Sequence, residues 1–169
     1  MLILAYAAYV RMRKLAKEGK AGDYKCMKLH IVTVGAPKLA YAKLGWAEYL
    51  KRLKHYHTVR VTHVADKFAY DPQYLLRSAG SAYKIALVID GTQFTSLEFV
   101  AFLEKRAAGT RELCLLVGGP EGLPEQVIAA ADFRLGLSRL TFPHDLAMVV
   151  LLEALYRAST IAAGQPYHK

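Results

Sequence analysis

Cysteine is scarce: the 169 residues hold two, Cys26 and Cys114, with no CxxC pair. That gives no support to a disulfide framework or a cysteine-bound zinc, and a reducing, cytoplasmic setting fits best. Cys114 lies inside an apolar run and reads as a small packing residue. The common nucleotide signatures are missing too. There is no GxxxxGK[ST] and no GxGxxG, so neither a P-loop nor a dinucleotide fingerprint is present. HExxH and GxSxG are also absent. The six histidines show no metal-ligand spacing, so no metal is expected. His55 and His57, beside Lys54 and Tyr56, read as exposed. The opening MLILAYAAYV is about half of what a membrane span needs. Its basic stretch follows the apolar run, whereas a signal peptide puts the charge first. An amphipathic helix on a membrane surface is the one membrane reading left. No internal repeat or low-complexity segment is visible.

Hydrophobic residues make up 54% and charged residues 22% of the chain, which suits one domain with a full core, or a domain plus a short extension. The formal net charge of +9 is unevenly spread. Residues 1–26 carry six basic and two acidic side chains, residues 27–84 ten and three, and residues 85–169 seven and nine. The basic excess sits wholly in the front half. A polyanion such as RNA could use it, and so could simple solubility.

Residues 19–23 are glycine-rich and read as a linker, with fresh order from Met27. KLHIVTVG reads as a strand ending in glycine, and residues 40–56 as a helix with Leu44, Ala47, Leu50 and Leu53 on one face. TVRVTHV, Thr58 to Val64, alternates as a half-buried strand does. Residues 72–83 suit a helix. IALVID, Ile85 to Asp90, suits a strand covered on both faces. Ser96 is expected to cap a helix over residues 97–107. LCLLVGG is a second buried strand, residues 124–130 a short helix and FRLGLS a short strand. Asp145 is expected to cap a long helix reaching Ala163. Strands alternating with helices predict a parallel-sheet α/β domain. Ligands then sit beyond the carboxyl ends of the strands. There lie GGPEG, DGTQF and SRLTFPH, three loops on one rim.

GGPEG has two readings. It can be a tight turn before a helix, with Glu121 as a helix cap. It can also be a loop, with Gly118 and Gly119, whose backbone faces a nucleoside without side chains in the way. LSRLTFPHDL interleaves Ser138, Thr141 and His144 with apolar residues, as the wall of an apolar pocket would. It can equally be a plain strand-to-helix connection. The ending QPYHK offers Tyr167 for stacking on a base, and His168 and Lys169 for phosphate. It can equally be a tail docked on its own domain.

MKLHIVTVG, LLVGGPEGL, LSRLTFPH, LLEALYRA and the terminal YHK, in this order, closely resemble the SPOUT-superfamily methyltransferases that modify N3 of a pseudouridine in 23S ribosomal RNA. The resemblance runs from Met27 to Lys169. Residues 1–26 have no counterpart, being either an extension or a stretch upstream of the true start. The resemblance implies a parallel α/β sheet with a C-terminal trefoil knot, an exception to unknotted topology. It implies S-adenosylmethionine held in the knot loops, a homodimer with the site at its interface, and rRNA of the large subunit or 70S ribosome as partner. Carried over by motif, the cofactor contacts are Ile89, Gly118, Gly119, Ser138, Arg139, Leu140, Thr141, Phe142 and Pro143. The chain departs from the pattern in a shorter loop after Asp90, in Met148 where arginine is usual, and in Lys169 where arginine is usual.

The implied reaction moves a methyl group from a sulfonium to a ring nitrogen. His144 and His168 are the candidate bases by residue type, with solvent as a third, and Arg157 and Tyr167 are expected to hold the RNA. Two rivals remain at this stage: a non-catalytic RNA-binding or ribosome-associated protein, and an enzyme of the same fold acting on another RNA. Affinity for S-adenosylmethionine separates the first rival from both enzyme readings.

Overall fold

The computed structural model describes residues 26–168. The amphipathic helix considered for the N-terminus, like Lys169, lies outside the described residues. Five parallel strands form one sheet: β1 (Lys28–Val34), β2 (Thr58–Val64), β3 (Tyr83–Thr92), β4 (Leu113–Val117) and β5 (Phe133–Leu135). Their order is β2-β1-β4-β3-β5. The helices between them are α1 (Ala40–Leu53), α2 (Pro72–Ala79), α3 (Ser96–Gly109), α4 (Glu125–Ala129) and α5 (His144–Ala162), with a 3-10 turn at Asp66–Phe68.

Side chains alternate across each strand, and both faces are covered. Leu29 and Ile31 of β1 join Leu113, Leu115, Phe99, Leu103, Met148 and Leu151 in a core beneath α1, α3 and α5. Val32 and Val34 join Cys114, Leu116, Leu75, Ala79 and Val127 beneath α2 and α4. β4 is buried at all five positions. The Cys114 thiol is closed off from solvent, and burial pushes its pKa up to about 12, so it packs as an inert apolar group.

Several local expectations are corrected. Thr95, not Ser96, caps α3. Its hydroxyl accepts from the Glu98 amide, and Glu98 reaches back to the Thr95 amide, forming a capping box. α2 stops at Ala79 because Gly80 turns the chain at φ 65°. Only Ile85 and Ala86 of β3 are fully buried, and the strand is irregular: both Leu87 and Thr92 face Leu135. α5 has Pro143 at its N-cap position, with no side-chain cap.

His57 is corrected most sharply, being only 4% exposed. Its Nδ1 accepts from the Met27 amide at 3.2 Å, and its Nε2 lies 2.9 Å from the Ser159 hydroxyl of α5. Burial lowers its pKa from 6.5 to about 4. In the unfolded chain it titrates near 6.5. Between those values only the unfolded chain takes up this proton. The stabilisation from neutral His57 is therefore complete above about pH 6.5 and is lost as pH falls towards 4, about 3 kcal/mol in all. Urea unfolding at pH 7.5 and pH 5 checks this. A His57→Leu chain, though less stable throughout, should lose less over the same drop.

Candidate active site

The irregularity of β3 shapes the rim of the sheet. The chain leaves the β5 ladder after Leu87 and rejoins it at Thr92. The intervening Val88, Ile89 and Asp90 face the loop after β4, and the space between is a cleft of about 460 Å³. That volume suits a nucleoside-sized ligand. Gly118 and Gly119 line one side, Leu137, Ser138, Leu140 and Phe142 another, and His144 and Ala147 come from the start of α5.

GGPEG is a tight turn that also walls the cleft. The Gly122 amide donates to the Gly119 carbonyl at 2.9 Å, and Gly122 adopts φ 87°. The chain doubles back so closely that a Cβ on Gly118 would lie 2.2 Å from the Gly122 carbonyl carbon. Glu121 lines the cleft instead of capping α4, whose N-cap position is Pro124 with no side-chain cap. A second close pass occurs where β3 and the chain after β5 cross. A Cβ on Gly91 would lie 2.4 Å from the Leu135 carbonyl carbon, and one on Gly136 2.7 Å from the Gly91 oxygen.

Of the nine residues assigned to the cofactor, Ile89, Gly118, Gly119, Ser138, Leu140 and Phe142 line the cleft. Arg139, Thr141 and Pro143 belong to the same loop but are exposed and outside the lining. The Ser138 hydroxyl accepts from the Leu140 amide at 3.0 Å and tightens this loop. The His144 Nε2 is buried at the cleft wall without a hydrogen-bond partner among the described residues. Sequence reading put Asp90 and Leu137 in the rim loops without assigning them to the cofactor, and it missed Leu87 on the lining.

Arg157, Tyr167 and His168 lie elsewhere. Arg157 is 13 residues beyond His144 on α5, roughly 20 Å along the axis. Its guanidinium bonds the Glu153 carboxylate through Nε and a terminal nitrogen. The Tyr167 hydroxyl donates to the same Glu153 oxygen at 3.1 Å and lies 3.4 Å from the Tyr49 hydroxyl. The Tyr167 ring meets Tyr156 edge-on at 4.8 Å, with Arg157 5.0 Å from its centroid. Burial, together with Tyr49 and the Glu153 charge, raises the phenol pKa. The tail is thus docked on its own domain through Glu153, a residue the sequence reading did not single out. His168 Nδ1 is buried without a partner among the described residues.

Asp145 has an unexpected task. Its Oδ2 accepts from the Lys38 amide at 2.8 Å and the Leu39 amide at 2.6 Å. It therefore holds the two residues that lead into α1, which has no side-chain cap of its own, and pins the β1–α1 loop to the first turn of α5. Asp145→Ala leaves those amides without their acceptor and should cost about 2 kcal/mol in thermal or urea unfolding. Asp145→Asn, which keeps an acceptor oxygen, should recover part of that.

Among the described residues no three His, Cys, Asp or Glu side chains are grouped to hold a metal ion, and no helix is long and apolar enough to cross a membrane.

A parallel five-stranded sheet with a glycine-walled cleft at its carboxyl rim defines an α/β domain with a candidate ligand cleft, and comparison with known proteins narrows it. The model of the family described as predicted SPOUT methyltransferases matches residues 27–168. Three relatives carry the name ribosomal RNA large subunit methyltransferase H. That of Deinococcus deserti is 50% identical over 145 residues, covering 85% of this chain and 100% of its own. That of Deinococcus radiodurans is 47% identical, covering 85% and 99%. That of Listeria monocytogenes serovar 1/2a is 40% identical over 159 residues, covering 85% and 100%. The chain belongs to the SPOUT methyltransferase family.

Proposed function

We propose that this methyltransferase moves a methyl group from S-adenosylmethionine to N3 of a pseudouridine in 23S rRNA, on the large subunit or the 70S ribosome, as a cytoplasmic homodimer. The observation that carries the reading is the cleft: glycine backbone and apolar walls around an orphaned imidazole nitrogen, in a chain matching relatives named for rRNA methylation. The residues present fit the cofactor. Gly118 and Gly119 present bare backbone to the cleft, Ile89, Leu140 and Phe142 offer apolar contact, and Ser138 and Asp90 offer polar groups. The close pass of Gly91 and Gly136 supports the trefoil knot that the resemblance implies.

S-adenosylmethionine supplies an electrophilic methyl group on a sulfonium. The chain's own part is chiefly alignment, which can be worth roughly 7–11 kcal/mol. The proton on N3 must leave, and a positioned acceptor contributes typically about 10²- to 10⁴-fold. The partnerless nitrogens of His144 and His168 are the two imidazole acceptors, with solvent as the third. Arg157 and Tyr167 hold the nucleotide.

The span of α5 supports the homodimer. Within one chain, His144 and Arg157 are too far apart to meet one base, so the tail cluster of one copy serves the cleft of the other. The apolar bulk of α5 is a weaker argument than its sequence suggests, since Met148, Leu151, Leu152, Leu155, Ala158 and Ile161 are buried within the chain. Leu39, Leu44 and Leu140, exposed near the start of α5, are better candidates for contact.

The test is to incubate the protein with labelled S-adenosylmethionine and ribosomes, map the label, and weigh the enzyme by light scattering. Label at N3 of one 23S pseudouridine and a dimer are expected. No cofactor binding would leave an RNA-binding protein, and label elsewhere would mean another RNA target.

A further inference from the structure

A second depression opens on the same rim, at the ends of β1 and β2. It is a groove of about 410 Å³ lined by Gly35, Pro37, Lys38, Lys43, His63 and Asp66, among others. We propose that this groove takes the phosphate backbone of the RNA that flanks the target nucleotide; the inference rests on the rRNA methyltransferase reading above.

Charge points to it first. The groove belongs to residues 27–84, which carry ten basic and three acidic side chains, whereas the cleft belongs to the acidic half. Lys43 is exposed and makes no ion pair among the described residues. Lys38 Nζ meets the Asp66 carboxylate at 3.0 Å, with both side chains about two-thirds exposed, at 71% and 66%. So exposed a pair is worth little, and a phosphate can displace it at small cost.

Position is the second argument. In the order β2-β1-β4-β3, the groove lies over the first pair of strand ends and the cleft over the second pair. Two strand spacings separate them, about 10 Å, a reach a neighbouring nucleotide can span. A Cβ on Gly119 of the cleft would touch Val34 at the end of β1, at 3.3 Å. The β1–α1 loop, Gly35 to Lys38, lines the groove. Asp145 fixes that loop to the helix that bears His144. A phosphate in the groove is thus held at a set distance from the cleft.

The test uses opposite signs. Lys43→Gln should weaken binding to 70S ribosomes or large subunits about three- to tenfold. It should also reduce the slope of log affinity against log salt by about 0.7–0.9, the share of one phosphate contact. Asp66→Asn removes a repelling charge and frees Lys38, so it should tighten binding several-fold. Lys43→Arg should stay near wild type. Affinity for S-adenosylmethionine should be unchanged in all three, which also controls for folding. Unmoved ribosome affinity in both Lys43→Gln and Asp66→Asn overturns the groove alone, while a wild-type protein that binds ribosomes but never methylates them overturns the function reading. Micromolar binding of inorganic phosphate, abolished in Lys43→Gln with ribosome affinity intact, would show a free-anion site and overturn the RNA assignment.

Discussion

Gly118→Ala should reduce S-adenosylmethionine affinity by at least about 100-fold and lower the melting temperature. The added methyl would lie 2.2 Å from the Gly122 carbonyl carbon, 2.4 Å from its oxygen and 2.5 Å from the Leu123 nitrogen. All three are backbone atoms of the turn, so no rotamer change relieves the clash. Relief means opening the turn closed by the Gly122–Gly119 hydrogen bond, and that turn forms a wall of the cleft. Overpacking of this kind costs roughly 1–3 kcal/mol. Gly119 is a useful contrast. Its methyl would meet only the Val34 side chain, at 3.3 Å, so Gly119→Val should leave a folded protein with an altered cleft wall. Calorimetry with S-adenosylmethionine, paired with thermal unfolding, reads both variants. Wild-type affinity in Gly119→Val would remove the loop from the cofactor site.

Deleting Tyr167, His168 and Lys169 should lower methyl transfer by at least about 100-fold while leaving cofactor affinity within about twofold. Tyr167 is not a free arm, since Glu153, Tyr49, Tyr156 and Arg157 hold it. Tyr167→Phe keeps the ring and loses the two hydroxyl contacts, which should cost about 1 kcal/mol in stability. If the ring stacks on RNA, this variant keeps most of its activity. Tyr167→Ala then loses about 5- to 150-fold in kcat/KM, the equivalent of one base stack. A tail that merely staples α5 predicts a lower melting temperature with normal turnover per folded molecule. Measuring both on the same variants separates the two roles.

What could be read from the sequence followed local rules. TVRVTHV alternates and became β2 at the expected bounds. LCLLV, apolar throughout, became the central strand. The GGPEG and SRLTFPH loops met on one rim, because parallel strands deliver their following loops to the same edge. The failures were tertiary. His57 looks exposed between Tyr56 and Thr58, and only the arrival of Ser159, 102 residues later, makes it a core group. Asp145 sits where a helix cap belongs, yet its amide partners are 106 and 107 residues away. The skip in β3 has no local signature beyond Gly91. The Thr95 cap was legible, since Thr-Ser-Leu-Glu is a capping-box spacing.

The place of β4 sets an order of events. β1 and β2 are neighbours in the chain and in the sheet, so they can pair early in synthesis. β3 is made next, but its sheet partners, β4 and β5, do not yet exist. Until residues 113–117 emerge, the nascent chain holds a paired half and an orphan strand. Inserting that five-residue strand joins them, and long-range parallel pairing of this kind is intrinsically slow. The same event brings Gly118 to the rim. A lesion that weakens β4 would therefore do more than loosen the middle of the sheet: β4 side chains stand in both cores, so the rim that carries the groove and the cleft would lose its support on both faces.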